Sequence, residues 1–138
     1  MQSIAYPCLV KPEKSGGFTV SFPDMDECFT EGNTLEEALF NAAEVLSLTL
    51  AGRIDEGLPV PKPSRIKGAT YVAPEARTQA PLLVRAARGD RPLSEVARAM
   101  GTSWPAAQRL ENPRHSPTLK QLERAAAALG KKLVLGFE

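Results

Sequence analysis

Four carboxylates, Asp24, Asp26, Glu27 and Glu31, crowd one short stretch of the chain, with Glu13 upstream. Metal-assisted hydrolysis needs two or more carboxylates converging from separate elements around an ion. Asp24, Asp26 and Glu27 fall in one loop and cannot build that geometry alone, so only Glu31 or Glu13 could complete it. The same charges serve a second chemistry without catalysis, an acidic surface complementary to a basic protein. They would also suit a plain solvated loop. His115 is the only histidine and Cys8 and Cys28 the only cysteines, which leaves little room for zinc or imidazole-based catalysis. No metal, no cofactor and no enzymatic activity are therefore expected.

A second constellation spans Leu93 to Glu111, LSEVARAMGTSWPAAQRLE. Small Ala97 allows two helices to cross closely, Gly101 makes a turn, and Val96, Met100 and Leu110 supply core contacts, which is helix-turn-helix spacing. Such a unit lays the start of its second helix in the DNA major groove. Trp104, Pro105, Ala106 and Gln108 would lie nearest the bases, where glutamine can pair bidentately with adenine, and the Ser103 cap region can face a phosphate. Arg98, Arg109 and Arg114 would hold phosphate. A bland helical bundle would use the same alanines, glycine and leucines for packing. Trp104 reads equally as a groove contact or as a packed helix-start residue.

Elements that could position these residues follow from periodicity. Ile4–Val10 reads as a strand with Pro7 suited to a sheet edge. Gly16-Gly17 is a hairpin turn, and Phe18, Val20 and Phe22 alternate with Thr19 and Ser21 in a half-buried strand. After the acidic loop, residues 28–32 form a third strand. Thr34 with Glu37 predicts a capping box for an amphipathic helix built on Leu35, Ala38, Leu39, Ala42, Ala43, Leu46 and Leu50, ending near Gly52. Residues 57–64, GLPVPKPS, predict an extended connector, and Thr70–Val72 a fourth strand. The order is β-β-β-α-β.

The second half is helical. Pro81 suits the first turn of a helix stopping at Gly89, with an earlier start at Glu75 also open. Residues 94–100 predict a second helix. Ser103 caps a third that runs to about Glu111, and Thr118 caps a fourth that ends at Gly130. Residues 131–137 predict a strand carrying Leu133, Val134, Leu135 and Phe137. Lacking a partner in its own module, it is suited to pairing with a second copy, which would give a homodimer or a higher even oligomer.

The 138 residues carry 17 Lys plus Arg against 16 Asp plus Glu, a net charge of +1 that seems to argue against nucleic acid. The average is misleading. Residues 1–73 hold 6 basic and 10 acidic residues, a net of −4. Residues 74–138 hold 11 basic and 6 acidic residues, a net of +5, and eight of those basic residues are arginines. The split predicts two modules, 1–73 and 74–138, joined near residues 65–80, with partners of opposite charge. No run reaches the ~18 apolar residues of a membrane span. Met1-Gln2-Ser3 leads into a strand-like segment without a secretory leader, so a cytoplasmic protein with reduced thiols is expected.

Gly17-Phe18-Thr19-Val20-Ser21-Phe22-Pro23-Asp24, then Cys28-Phe29-Thr30-Glu31-Gly32-Asn33-Thr34, Glu36-Glu37-Ala38, Asn41-Ala42 and residues 59–64 occur in an order that resembles the HicB family, antitoxins of HicA–HicB toxin–antitoxin pairs. The second half resembles the Cro/phage-repressor helix-turn-helix family, including Pro117-Thr118-Leu119 and the Ala126–Gly130 exit. The resemblance implies an α+β fold: a truncated ribonuclease-H-like N-terminal module without catalysis, then an all-α DNA-binding module. It implies an antitoxin that masks a small basic HicA-like toxin that cleaves mRNA. It also implies that the C-terminal module represses the shared operon by binding operator DNA. Asp24, Asp26, Glu27 and Glu31 are the expected toxin-binding residues. Two positions depart from the repressor pattern. Leu93 stands where that family has glutamine, and Trp104-Pro105-Ala106 is poor in hydrogen-bonding groups, which shifts weight toward phosphate and shape contacts. A ligand-sensing transcriptional regulator, with a metabolite in the N-terminal module, is the alternative, and an active nuclease a third.

Overall fold

A computed structural model describes residues 4–138; Met1 to Ser3, on which the expectation of no leader partly rests, lie outside the described residues. The chain divides into two units after Glu75, two residues beyond the boundary expected from charge.

In the first unit β1 (Tyr6–Pro12), β2 (Phe18–Ser21), β3 (Phe29–Gly32) and β4 (Thr70–Val72) make one antiparallel sheet in the order β3-β2-β1-β4. Helix α1 (Leu35–Asp55) packs on it. The β1–β2 hairpin turns on Gly16 and Gly17, with φ of 97° and 82°, a region that side chains with a Cβ avoid. The register pairs Val10 with Val20 and Val20 with Thr30.

Pro7 is not on an edge strand, because β1 lies between β2 and β4. It pairs with Tyr71 of β4, whereas β2 joins β1 only from Leu9 onward. The strand is one-sided at this point, so the missing N–H breaks no β1–β2 bond.

Thr34 starts α1 by accepting a hydrogen bond from the Glu37 N–H at 3.1 Å. The helix continues past Gly52 to Asp55. Ala38, Ala42, Leu46 and Leu50, spaced four apart, form its fully buried row. Opposite them, Tyr6, Cys8, Val20, Phe22, Met25 and Cys28 fill the core. Burial pushes the Cys8 and Cys28 thiols up from their ordinary pKa, as fits core packing rather than reactivity. At Gly32 an added Cβ would lie 2.4 Å from the Ala38 nitrogen, so sheet and helix touch backbone to backbone there.

The second unit holds α2 (Ala76–Arg88), α3 (Leu93–Met100), α4 (Trp104–Leu110) and α5 (Leu119–Ala128). Val84, Val96, Leu110, Ala125 and Leu129 are its core, with Ala87, Met100 and Leu122 against it. Pro81 lies inside α2 rather than in its first turn, because the helix begins at Ala76. Within the single chain residues 131–138 form no strand; the expected C-terminal element is one that pairs with a second copy. A strand requires a hydrogen-bonding neighbour, and among the described residues none is paired with this segment. Among the described residues no helix is long and apolar enough to cross a membrane.

Candidate functional site

The acidic loop is a closed turn before it is a surface. Phe22 N–H donates to Cys28 O at 3.1 Å, Met25 N–H to Phe22 O at 3.1 Å, and Cys28 N–H to Met25 O at 3.0 Å. Burial of Phe22, Met25 and Cys28 anchors the turn.

Asp24 accepts from the Ser64 N–H at 2.9 Å and from the Ser64 hydroxyl. Glu27 accepts from Arg53 Nε at 2.8 Å and Nη2 at 2.9 Å, a bidentate pair. Arg53 Nη1 donates to Pro59 O at 2.9 Å, and the Tyr6 hydroxyl donates to Pro61 O at 2.7 Å. Two of the four carboxylates expected to face a partner therefore clasp the connector of residues 57–64 against the sheet and helix. Asp26 and Glu31 remain exposed. Burial, followed by the negative charge of Asp24, pushes the Tyr6 phenol up to about 12.

The Arg53 guanidinium, chiefly through its hydrogen bonds, holds the Glu27 carboxyl down at about 2. A depressed carboxylate pKa stabilises the fold above the unfolded value and loses that contribution as the pH falls through about 2. In Arg53→Ala, Glu27 is expected to titrate back in the ordinary carboxylate range. A carboxyl-carbon NMR titration checks this, and an unmoved midpoint would show that another group sets the value.

A cleft of about 380 Å³ opens where the hairpin, the end of β3 and the start of α1 meet, lined by Glu13, Glu31 and Glu37 over Gly16, Gly17 and Gly32. The Glu13 carboxylate accepts from the Thr19 hydroxyl at 3.1 Å. Among the described residues no group of three or more His, Cys, Asp or Glu side chains could hold a metal ion.

In the second unit, Gly101 closes α3 at φ 65° and Thr102 N–H donates to Ala97 O at 2.9 Å. This left-handed cap turns the chain sharply between α3 and α4. Ser103 accepts from Ala106 N–H at 3.2 Å and starts α4. Ala97 and Ala107 are buried where these helices pack. Trp104 is 48% exposed. Ser103, Pro105, Gln108, Arg98, Arg109 and Arg114 are also exposed, and Ala106 is half-buried. The turn therefore presents a short, solvent-facing helix start, and α3, α4 and the following loop each carry an exposed arginine. Thr118 and Gln121 exchange both capping bonds at the start of α5, at 2.9 and 3.1 Å. Arg124 Nη2 reaches Met100 O at 2.8 Å.

One structural residue escaped the sequence reading. Glu111 is buried and accepts from Arg88 Nε at 2.6 Å and Nη2 at 2.9 Å. A glutamate at a helix C-terminus opposes the helix dipole, and that mismatch was the available signal for a buried partner. At the chain's end Val134, Leu135 and Phe137 are exposed and Leu133 is half-buried.

Residues 5–74 match the family model described as HicB_like antitoxin of bacterial toxin-antitoxin system. Over its whole length the chain is 31% identical to Antitoxin HicB 1 of Photorhabdus laumondii, covering 90% of that protein. It is 30% identical to Antitoxin HicB of Escherichia coli K12, covering 94% of this chain and 96% of that one. A solved HicA3 and HicB3 toxin-antitoxin complex has a chain 34% identical, with a TM-score of 0.40, over 45% of this chain and 71% of that one.

Proposed function

The chain belongs to the HicB-like antitoxin family of bacterial toxin–antitoxin systems, and from that premise we propose a two-ended inhibitor and repressor. The N-terminal unit, a truncated ribonuclease-H-like module, covers the active site of a small basic HicA-like mRNA interferase. The C-terminal unit represses the toxin–antitoxin operon by binding operator DNA.

The observation that carries this reading is the charge split, −4 over residues 1–73 against +5 over residues 74–138, falling on two separate structural units. Opposite fields steer opposite partners and raise their association rates. Asp26 and Glu31 face the toxin, while Asp24 and Glu27 hold the loop that carries Asp26 beside β3. On the DNA side, α3, the Gly101 turn and α4 act as a helix-turn-helix. Trp104, Pro105, Ala106 and Gln108 face the major groove, and the Ser103 cap region with Arg98, Arg109 and Arg114 binds phosphate. Leu133, Val134, Leu135 and Phe137 pair two copies as strands, which sets half-sites about 34 Å apart on a palindromic operator.

Co-expression with the small protein encoded beside the gene is the decisive test. Co-purification of a basic partner and relief of its toxicity are expected; a neighbour that neither binds nor poisons the cell ends the antitoxin reading. On the operator, Arg109→Ala is expected to weaken binding to all sequences alike and to lower the salt slope by about 1. A slope equal to that of the parent in a salt-dependent gel shift would place phosphate binding on another helix.

A further inference from the structure

Helix α1 carries large apolar residues on two opposite sides. One row, Ala38, Ala42, Leu46 and Leu50, is fully buried in the N-terminal unit. Two residues out of step, and so on the far side of the helix, runs the row Glu36, Phe40, Glu44 and Leu48. All four are exposed, Phe40 to 68% and Leu48 to 73%. Phe40 and Leu48, left in water between two glutamates, make this side an exposed ridge of alternating carboxylate and large apolar side chains. The row is about 18 Å long at 1.5 Å per residue.

We infer that this ridge, Glu36–Phe40–Glu44–Leu48, is the primary docking surface for the basic toxin. The assignment rests on the antitoxin reading and adds to it the surface that engages the partner. Charge selects the occupant. The helix carries Glu36, Glu37, Glu44 and Asp55, and its one basic residue, Arg53, is engaged by Glu27. Apolar side chains set between glutamates fit a groove that is hydrophobic at its floor and cationic at its rim. A second copy fits badly. Two-fold antiparallel pairing of this row sets Glu36 against Leu48 and Glu44 against Phe40, burying each carboxylate against an apolar side chain with no partner, and parallel pairing sets Glu36 against Glu36 and Glu44 against Glu44. An anionic lipid surface is repelled by the same carboxylates.

The test uses the full-length chain and the small basic protein encoded beside its gene, purified together and re-associated in a calorimeter. Phe40→Ala and Leu48→Ala are each expected to weaken association about 30-fold or more, as for central apolar anchors. Glu36→Lys combined with Glu44→Lys is expected to slow association about tenfold and to flatten its salt dependence. The exposed positions predict unchanged melting; should Phe40→Ala melt lower, Leu48→Lys at the other anchor decides.

Parental affinity in the Phe40 and Leu48 variants overturns the assignment while leaving the antitoxin reading intact. So does a variant that sediments as a smaller species yet binds the toxin normally, which would make the ridge a self-association face. If the unmodified chain fails to bind the basic protein at all, the antitoxin reading and this surface fall together.

Discussion

Glu111→Ala is expected to cost the C-terminal unit about 2–4 kcal/mol. The carboxylate is 7% exposed and its Arg88 partner 23%. Removing one member of a buried pair leaves the other desolvated and unpaired, typically a loss of about 3–5 kcal/mol. The residual exposure of Arg88 moderates the figure. Arg88 also donates to Arg91 O at 2.9 Å, so its freed guanidinium would disturb the α2–α3 turn as well. A unit of this size has roughly 3–9 kcal/mol of stability in total, and each kcal/mol shifts a small domain's midpoint by about 4–8 °C. The chain's single tryptophan, Trp104, lies in this unit, so its fluorescence follows the transition directly. A fall of about 10–25 °C is expected, with Glu111→Gln in between. Melting like the parent would mean that the pair is a neutral exchange for hydration.

The second large effect is expected at Gly32→Ala, by steric overlap alone. Its Cβ would meet Ala38 N at 2.4 Å and Ala38 Cα at 2.7 Å. Both are backbone atoms of α1, which a side-chain rotation cannot move aside. The helix would have to lift from β3, opening the row of Ala38, Ala42, Leu46 and Leu50. Overpacking costs about 1–3 kcal/mol where side chains can adjust, so about 3 kcal/mol is the expected loss where they cannot. Far-UV circular dichroism during melting of the full chain should show an earlier first transition, while Trp104 fluorescence stays in place. A coincident, unshifted melt would show slack between sheet and helix. Gly101→Ala makes a useful contrast, because no atom lies within 4 Å of its Cβ and only the positive φ resists the change.

Most local structure was legible in the sequence because local chemistry specifies it. Glycines at 16, 17 and 101, the caps at Thr34, Ser103 and Thr118, and the alternation Phe18-Val20-Phe22 act over a few residues. Their elements form close to the expected positions. Less legible were features that depend on distant partners. Asp24 and Glu27 read as a free acidic loop because nothing nearby announces Ser64, 40 residues on, or Arg53, 26 residues on. Pro7 read as an edge residue because the handover from β2 to β4 along β1 exists only in the assembled sheet. Residues 131–137 read as a strand from composition, yet strand identity belongs to a pair and not to a segment.

The division into an acidic and a basic half, the helix-turn-helix spacing and the family resemblance were determined by sequence alone, because charge and short-range spacing survive without coordinates. Which carboxylates are spent on holding the connector, which glutamate is buried against an arginine, and which side of α1 is left in water were decided by tertiary structure. Helical periodicity marks apolar rows but not the one that faces the sheet. Burial is a property of what arrives from elsewhere in the chain, and for α1 that placed Ala38–Leu50 inside and left Phe40 and Leu48 outside.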